Sequence, residues 1–177
     1  MDLQDTPREA EFRAEARAWL DDNAPQELIP RLQQSGFGKS AFKGEEYIEH
    51  CQLWQAKKAD AGWACLHWPK EYGGRGASAM ERIIWGQEEG PYAALGGLFV
   101  IGLGMAGPTL MAYGTEEQKL RYLPPMARGE EIWCQLFSEP GAGSDLAGIR
   151  TRAVKDGDEW VINGQKIWTS GAQDRKS

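Results

Sequence analysis

Along the first two-thirds of the chain, apolar residues recur at spacings of three and four, the period of a helix that buries one face. Phe12, Ala16, Trp19 and Leu20 make one such stripe. Thr6-Pro7-Arg8-Glu9 ahead of it is a capping box with proline at the first helical position, and Pro25 stops it, so the pattern predicts a helix over Pro7–Asn23. Residues 26–44 show little periodicity and are broken by proline and glycine, which predicts a connecting segment with a short helical piece. Tyr47, Ile48, Cys51 and Trp54 form the next stripe, on a helix with a charged far face that Gly62 ends. Over residues 63–76 large rings mix with Pro69, Gly73, Gly74 and Gly76, the make-up of a rigid loop that plugs a core; the functional alternative is the wall of a ligand channel. Ser78-Ala79-Met80-Glu81 is a second capping box, opening a helix that reaches about Glu89. Thr115-Glu116-Glu117-Gln118 is a third, opening a short helix that Pro124-Pro125 close.

Residues 92–113 carry no charge and are long enough for a membrane span. Glycines at 96, 97, 102, 104 and 107 and Pro108 break the run, and no basic flank orients it, so the expectation is a buried helix broken near 104–108 and no membrane span. Gly102, Gly104 and Gly107 also match the G-x-G-x-x-G of dinucleotide folds. Pro108 follows at once, however, and position 122, where an acidic residue would hold a ribose, is tyrosine, so a nicotinamide site is set aside.

Beyond residue 130 the period falls to two. Residues 132–137 are an apolar run of the length a buried strand needs, leading into the loop Ser138-Glu139-Pro140-Gly141-Ala142-Gly143-Ser144-Asp145. Residues 151–154 alternate, turn at Asp156-Gly157-Asp158 and return through Trp160, Val161 and Ile162. Asn163-Gly164 then predicts a second tight turn into a third strand, residues 165–170. The expected fold class is therefore multidomain α and β: an all-α helical N-terminal domain over 1–130, then the opening strands of an antiparallel β-domain over 131–177. Alternation puts Ile167 and Thr169 on one face and Lys166, Trp168 and Ser170 on the other, an aromatic plane beside a hydroxyl that suits a flat, polar-edged heterocycle. In the loop, Gly141 and Gly143 let backbone approach a ligand, Ser138 and Ser144 offer hydroxyls, and successive N–H groups can form an anion-binding concavity. Glu139 and Asp145 are a candidate carboxylate pair, although bracing a loop through backbone N–H groups is the commoner use of such residues.

Hydrophobic content of 41% and charged content of 26% are those of a soluble globular protein, and a net charge of -6 without a basic cluster argues against a nucleic-acid partner. The three cysteines are an odd count, and the first residues, MDLQDTPREAEF, are charged where a secretory signal is apolar, so a reducing cytoplasm is expected. His50 and His67 lack metal-ligand spacing, and no metal site is expected. Around Ser144, Ala142 and Leu146 stand where a nucleophile elbow needs glycines, which removes serine-nucleophile chemistry.

FSEPGAGSDLAG followed by DGDEWVINGQKIWTSGA resembles the flavin-dependent acyl-CoA dehydrogenases, and the resemblance extends upstream through AGWACLHWPKEYGGRG and YGTEEQKLRYLPPMARGE. It implies a helical N-terminal domain, a middle β-domain and a C-terminal helical bundle, of which this chain holds the first and the start of the second. It further implies that Gln135, Leu136, Phe137 and Ser138 meet the FAD ring, that Gly143 and Ser144 serve the pyrophosphate and the pantetheine of an acyl-CoA substrate, that Trp168 packs on the isoalloxazine, and that Thr169 and Ser170 complete the cradle near its reactive nitrogen. The implied reaction is α,β-dehydrogenation of an acyl-CoA thioester in fatty acid metabolism, with electrons passed to an electron-transfer flavoprotein. The family's catalytic base is a glutamate of the C-terminal domain, so the isolated chain is expected to be inactive and its end at Ser177 reads as incomplete. A homotetramer or other homo- or hetero-oligomer is implied for the complete protein. Oxidases and monooxygenases share these motifs, and the alternative of another class is a non-catalytic fragment or partner subunit that supplies a helical surface.

Overall fold

The computed structural model describes residues 4–34, 42 and 44–169, and the chain divides into two compact units, residues 1–132 and 133–177. In the first, α1 (Pro7–Asn23) starts where the sequence predicts: the Thr6 hydroxyl accepts from the Glu9 amide and the Glu9 carboxylate accepts from the Thr6 amide at 2.7 Å. A 3-10 turn (Gln26–Leu28) and α2 (Ile29–Leu32) form the short helical piece. Helices α3 (Glu45–Asp60) and α4 (Ala79–Glu88) follow, the second opened by the reciprocal Ser78/Glu81 box.

The core is aromatic. Trp63 and Trp85 stack with centroids 4.5 Å apart, Trp19 lies 5.5 Å from Trp54 and 5.9 Å from each of Trp63 and Trp85, and Phe12 and Tyr92 close the cluster. These rings are where many of the tryptophans go: large flat side chains from α1, α3, α4 and the 63–76 loop meet in tilted and stacked pairs. That loop plugs the core, with Trp63 and Trp68 1% and 0% exposed. A Cβ at Gly107 would overlap the Trp68 ring, so a glycine there lets the two segments touch.

Several expectations change. The buried stripe of α3 continues, one turn beyond Cys51 and Trp54, into two polar residues that its apolar pattern did not include: Lys58 pairs with Glu89, which also accepts from Trp54 Nε1, and Gln55 donates to the Ala127 carbonyl at 2.8 Å. The uncharged run is a 3-10 helix (Gly90–Phe99), a π-turn (Gly102–Ala106) and α5 (Gly107–Tyr113), bent by 73° between Phe99 and Gly102 rather than near Pro108. Pro108 is absorbed: it sits in the first turn of α5, where a missing N–H costs nothing, and the Gly107 amide donates back to Gly102. Among the described residues no single helix is long and apolar enough to cross a membrane.

Pro124 and Pro125 do not close their helix, because α6 runs over Glu116–Ala127 with both inside it. A helix-interior proline costs about 3 kcal/mol. Burying Leu123 and Met126, 0% and 1% exposed, contributes about 1.5–3 kcal/mol each. The carbonyls of both prolines also find donors, Arg128 N for Pro124 and Glu130 N for Pro125.

In the second unit β1 (Arg152–Asp156) and β2 (Glu159–Asn163) form an antiparallel hairpin in the register Arg152↔Asn163 to Asp156↔Glu159. The turn falls at Gly157-Asp158 as expected, with Gly157 at φ 60 in the first central position. The meander stops at two strands. Residues 132–137 and 165–169 form no strand among the described residues, and Asn163-Gly164 is not a turn, since neither has positive φ. Gly164 is needed for another reason: a Cβ there would strike the Thr151 side chain.

Candidate functional site

Residues 133–138 lead into a tight turn at Pro140-Gly141, closed by Glu139 N to Ala142 O at 2.8 Å and Ala142 N to Glu139 O at 3.1 Å. The segments carrying the two sequence motifs then meet: Ile167 N donates to Ser138 O at 3.0 Å, and Lys166 Nζ donates to Phe137 O at 3.1 Å and to Glu139 Oε1 at 2.9 Å. Glu139 is the knot between them. Its side chain, 6% exposed as a residue, accepts from Arg150 N at 2.7 Å and from Thr151 N at 2.9 Å as well as from Lys166. The Thr151 side chain beside it, then the Arg150 amide and the Lys166 ammonium, hold the Glu139 carboxyl down to about 2, against a smaller upward push from desolvation. Thr151 Oγ1 is itself shut away from water and falls short of hydrogen-bond geometry. A cleft of about 300 Å³ opens between this turn, the 148–151 segment and Gly164-Gln165.

Of the expected ligand-facing residues, Gln135 and Ser138 are half-buried, Leu136 and Phe137 are each 53% exposed, and Gly143 and Ser144 lie on open surface past the turn. A Cβ at Gly141 or Gly143 would meet nothing within 4 Å, so packing within this chain does not account for either glycine. Thr169 is half-buried, and Ser170 lies outside the described residues.

Trp168 is 82% exposed, as a ring that stacks on a ligand must be before the ligand arrives, but its backbone has φ 55. The alternation expected through residues 165–170 therefore fails at Trp168, because a left-handed residue turns the chain out of the pleat. For a bulky side chain that conformation costs about 1–2 kcal/mol and persists only where its surroundings impose it. Glu139 braces the loop rather than pairing with Asp145, in keeping with the commoner use of such a residue. Lys166 as its partner was not foreseen, because the two residues stand in different motifs 27 positions apart.

Two domain families match: the acyl-CoA dehydrogenase N-terminal domain over residues 6–130 and the acyl-CoA dehydrogenase middle domain over residues 134–176. With helices followed by an antiparallel hairpin, and a glycine-serine turn tied to an exposed tryptophan, the chain belongs to the acyl-CoA dehydrogenase family, whose members are flavin-dependent oxidoreductases acting on CH–CH bonds. Among particular relatives, acyl-CoA dehydrogenase IpdE1 of Mycobacterium tuberculosis is 45% identical over 160 residues, 90% of this chain and 40% of its own length. The ChsE4–ChsE5 complex of the same organism contains a chain 40% identical with a TM-score of 0.71, covering 98% of this chain and 41% of that one. The Tcur3481–Tcur3483 steroid acyl-CoA dehydrogenase is 41% identical, with a TM-score of 0.71 over 97% of this chain and 42% of its own. A glutaryl-CoA dehydrogenase of Mycobacterium smegmatis in complex with FADH2 is 27% identical, with a TM-score of 0.63 over 93% and 39%. The present chain thus spans about 40% of the length of the relatives it matches.

Proposed function

We propose that this chain is the N-terminal part of an FAD-dependent dehydrogenase that oxidises the α,β bond of an acyl-CoA thioester, acting in a complex with a second, related chain. The observation that carries the reading is the junction of the two motif segments, where bare glycine backbone at 141 and 143, half-exposed Leu136 and Phe137, and exposed Trp168 belong to one hydrogen-bonded assembly. These residues fit a flavin: apolar edges and an indole plane suit the ring, and a glycine-serine loop with free space at its Cβ positions suits phosphate oxygens.

FAD, when bound, supplies the hydride-accepting chemistry. The chain's own part is to hold and orient. Gln135, Leu136, Phe137 and Ser138 would offer backbone and side-chain edges to the ring system, Gly143 and Ser144 would take the phosphate region, with Ser144 also reaching the acyl-CoA, and Trp168, Thr169 and Ser170 would form the opposite wall. The proton-abstracting carboxylate belongs to a part of the family's fold beyond these residues. An electron-transfer flavoprotein as electron acceptor and a cytoplasmic location belong to the same proposal.

Two of the similar structures, ChsE4–ChsE5 and Tcur3481–Tcur3483, are paired-chain assemblies, which supports a hetero-oligomer, and the second is a steroid acyl-CoA dehydrogenase, which supports a bulky polycyclic acyl group. They equally favour one second reading, that this chain is the non-catalytic partner in such a pair. The intact protein, purified with any co-purifying chain, should show a flavin spectrum, and Trp168→Ala should lower FAD occupancy or move its visible band. A protein that takes up no FAD, or a Trp168→Ala titration identical to the parent, removes the catalytic reading and leaves the partner role.

A further inference from the structure

Glu139 and Lys166 fall outside the ligand-facing set, yet the structure spends its most concentrated hydrogen bonding in the second unit on them. Four donors from two separate segments converge around one turn: the Arg150 and Thr151 amides and Lys166 Nζ reach the Glu139 carboxylate, and the Ile167 amide reaches Ser138 O next to it. Lys166 takes a second acceptor, Phe137 O, on the other side of Ser138. Residues 137–139 are thereby gripped from both ends by residues 166 and 167. One residue further on, Trp168 sits at φ 55 with its side chain 82% exposed. The two residues immediately before it, Lys166 and Ile167, are the ones bonded to residues 137–139, and they fix where the chain enters Trp168.

We propose that Glu139 and Lys166 are positioning residues, an ion-paired clip that fixes residues 166–168 against residues 137–139 and so sets the attitude of the Trp168 indole toward a bound flavin. The inference rests on the flavin reading for its purpose, though not for its existence, since the clip is complete without a ligand. The charged pair suits the task because its geometry is multiply constrained. The carboxylate is oriented by two amides before Lys166 arrives, and the ammonium has a carbonyl to complete its contacts, so neither side chain can swing without breaking a second bond. A neutral pair of similar size would fill the same space and leave the angle of the 166–168 segment loosely set.

The test uses the intact protein with Lys166→Met, Lys166→Arg and Glu139→Gln. It reads hydrogen exchange of the peptide covering residues 165–169, the visible band of bound FAD, and the thermal midpoint. In Lys166→Met the 165–169 peptide should exchange about tenfold faster, FAD affinity should fall about tenfold and its band should move, while Lys166→Arg, which keeps the charge and can still reach Glu139, should recover most of each. Glu139→Gln should resemble Lys166→Met. The proposal is overturned if Lys166→Met leaves the exchange of that peptide and the flavin band unchanged, or if every variant lowers the thermal midpoint alike while the folded fraction keeps the parental band. If the parent binds no FAD, the flavin reading fails by itself; the exchange result for Lys166→Met against Lys166→Arg still decides whether the clip holds the segment.

Discussion

At Glu139 a single proton decides whether the second unit's turn is braced. Its carboxyl titrates near 2 when folded, against an ordinary 4.5, so the bracing is present in full above about pH 4.5 and is lost as pH falls from there toward 2. The groups that face it are Lys166, the amides of Arg150 and Thr151, and the Thr151 side chain. Carboxylates elsewhere, such as Glu88 held down by Arg17 and Arg13, lose their partners in the same direction, so the parent must be compared with Glu139→Gln. A carboxyl chemical-shift titration should place Glu139 at about 2, well below an exposed glutamate. The parent should also lose stability against the variant between pH 4.5 and 2, and parallel curves would show that Glu139 is not the group responsible. The bracing role was legible in the sequence, because a glutamate beside Pro-Gly has few other uses. The direction of Trp168 was not: alternation assumes every residue stays extended, and one left-handed residue voids it.

Helix starts were legible in the sequence because they are local. Thr6, Ser78 and Thr115 each accept from the residue three ahead, and each is answered by the side chain of that residue, so four letters of sequence contain the whole interaction. Ser78→Ala should therefore cost about 1 kcal/mol, read as a shift in the urea midpoint of the helical unit. A change under about 0.3 kcal/mol would show that α4 is held by tertiary packing alone. Ends and breaks were less legible, because they are settled across the fold. Pro124 and Pro125 look like terminators until Leu123 and Met126 are seen buried on either side of them, and Pro108 looks like a break until the π-turn before it takes up the mismatch. The Asn163-Gly164 signal failed for a similar reason: Asn163 is occupied as the last rung opposite Arg152, and Gly164 is selected by its closeness to Thr151.

Over the whole molecule the two units are unequally provided with cores. The helical unit buries a continuous aromatic cluster, whereas every residue of β1 and β2 is exposed. Cross-strand register sorts the hairpin into two faces, one carrying Ala153 with Ile162 and Lys155 with Trp160, the other Val154 with Val161 between polar pairs. Ile162 at 69%, Trp160 at 63% and Val154 at 58% exposed are large apolar groups on a two-stranded ribbon, a structure that is marginal in water without a third layer or strand to cover it. Its outer edges also present unpaired backbone groups, the usual template for association. The 177-residue chain on its own should therefore associate with itself as its concentration rises, through the hairpin rather than through the helices. Sedimentation velocity over a hundredfold range of concentration should show the average coefficient rising, and Ile162→Lys with Trp160→Lys should return it toward a monomer while leaving the helical circular dichroism unchanged. A chain that stays monomeric throughout, or one whose association survives both lysines, would move the adhesive surface elsewhere, and the exposed Tyr113 and Leu120 of α5 and α6 would be the next residues to substitute.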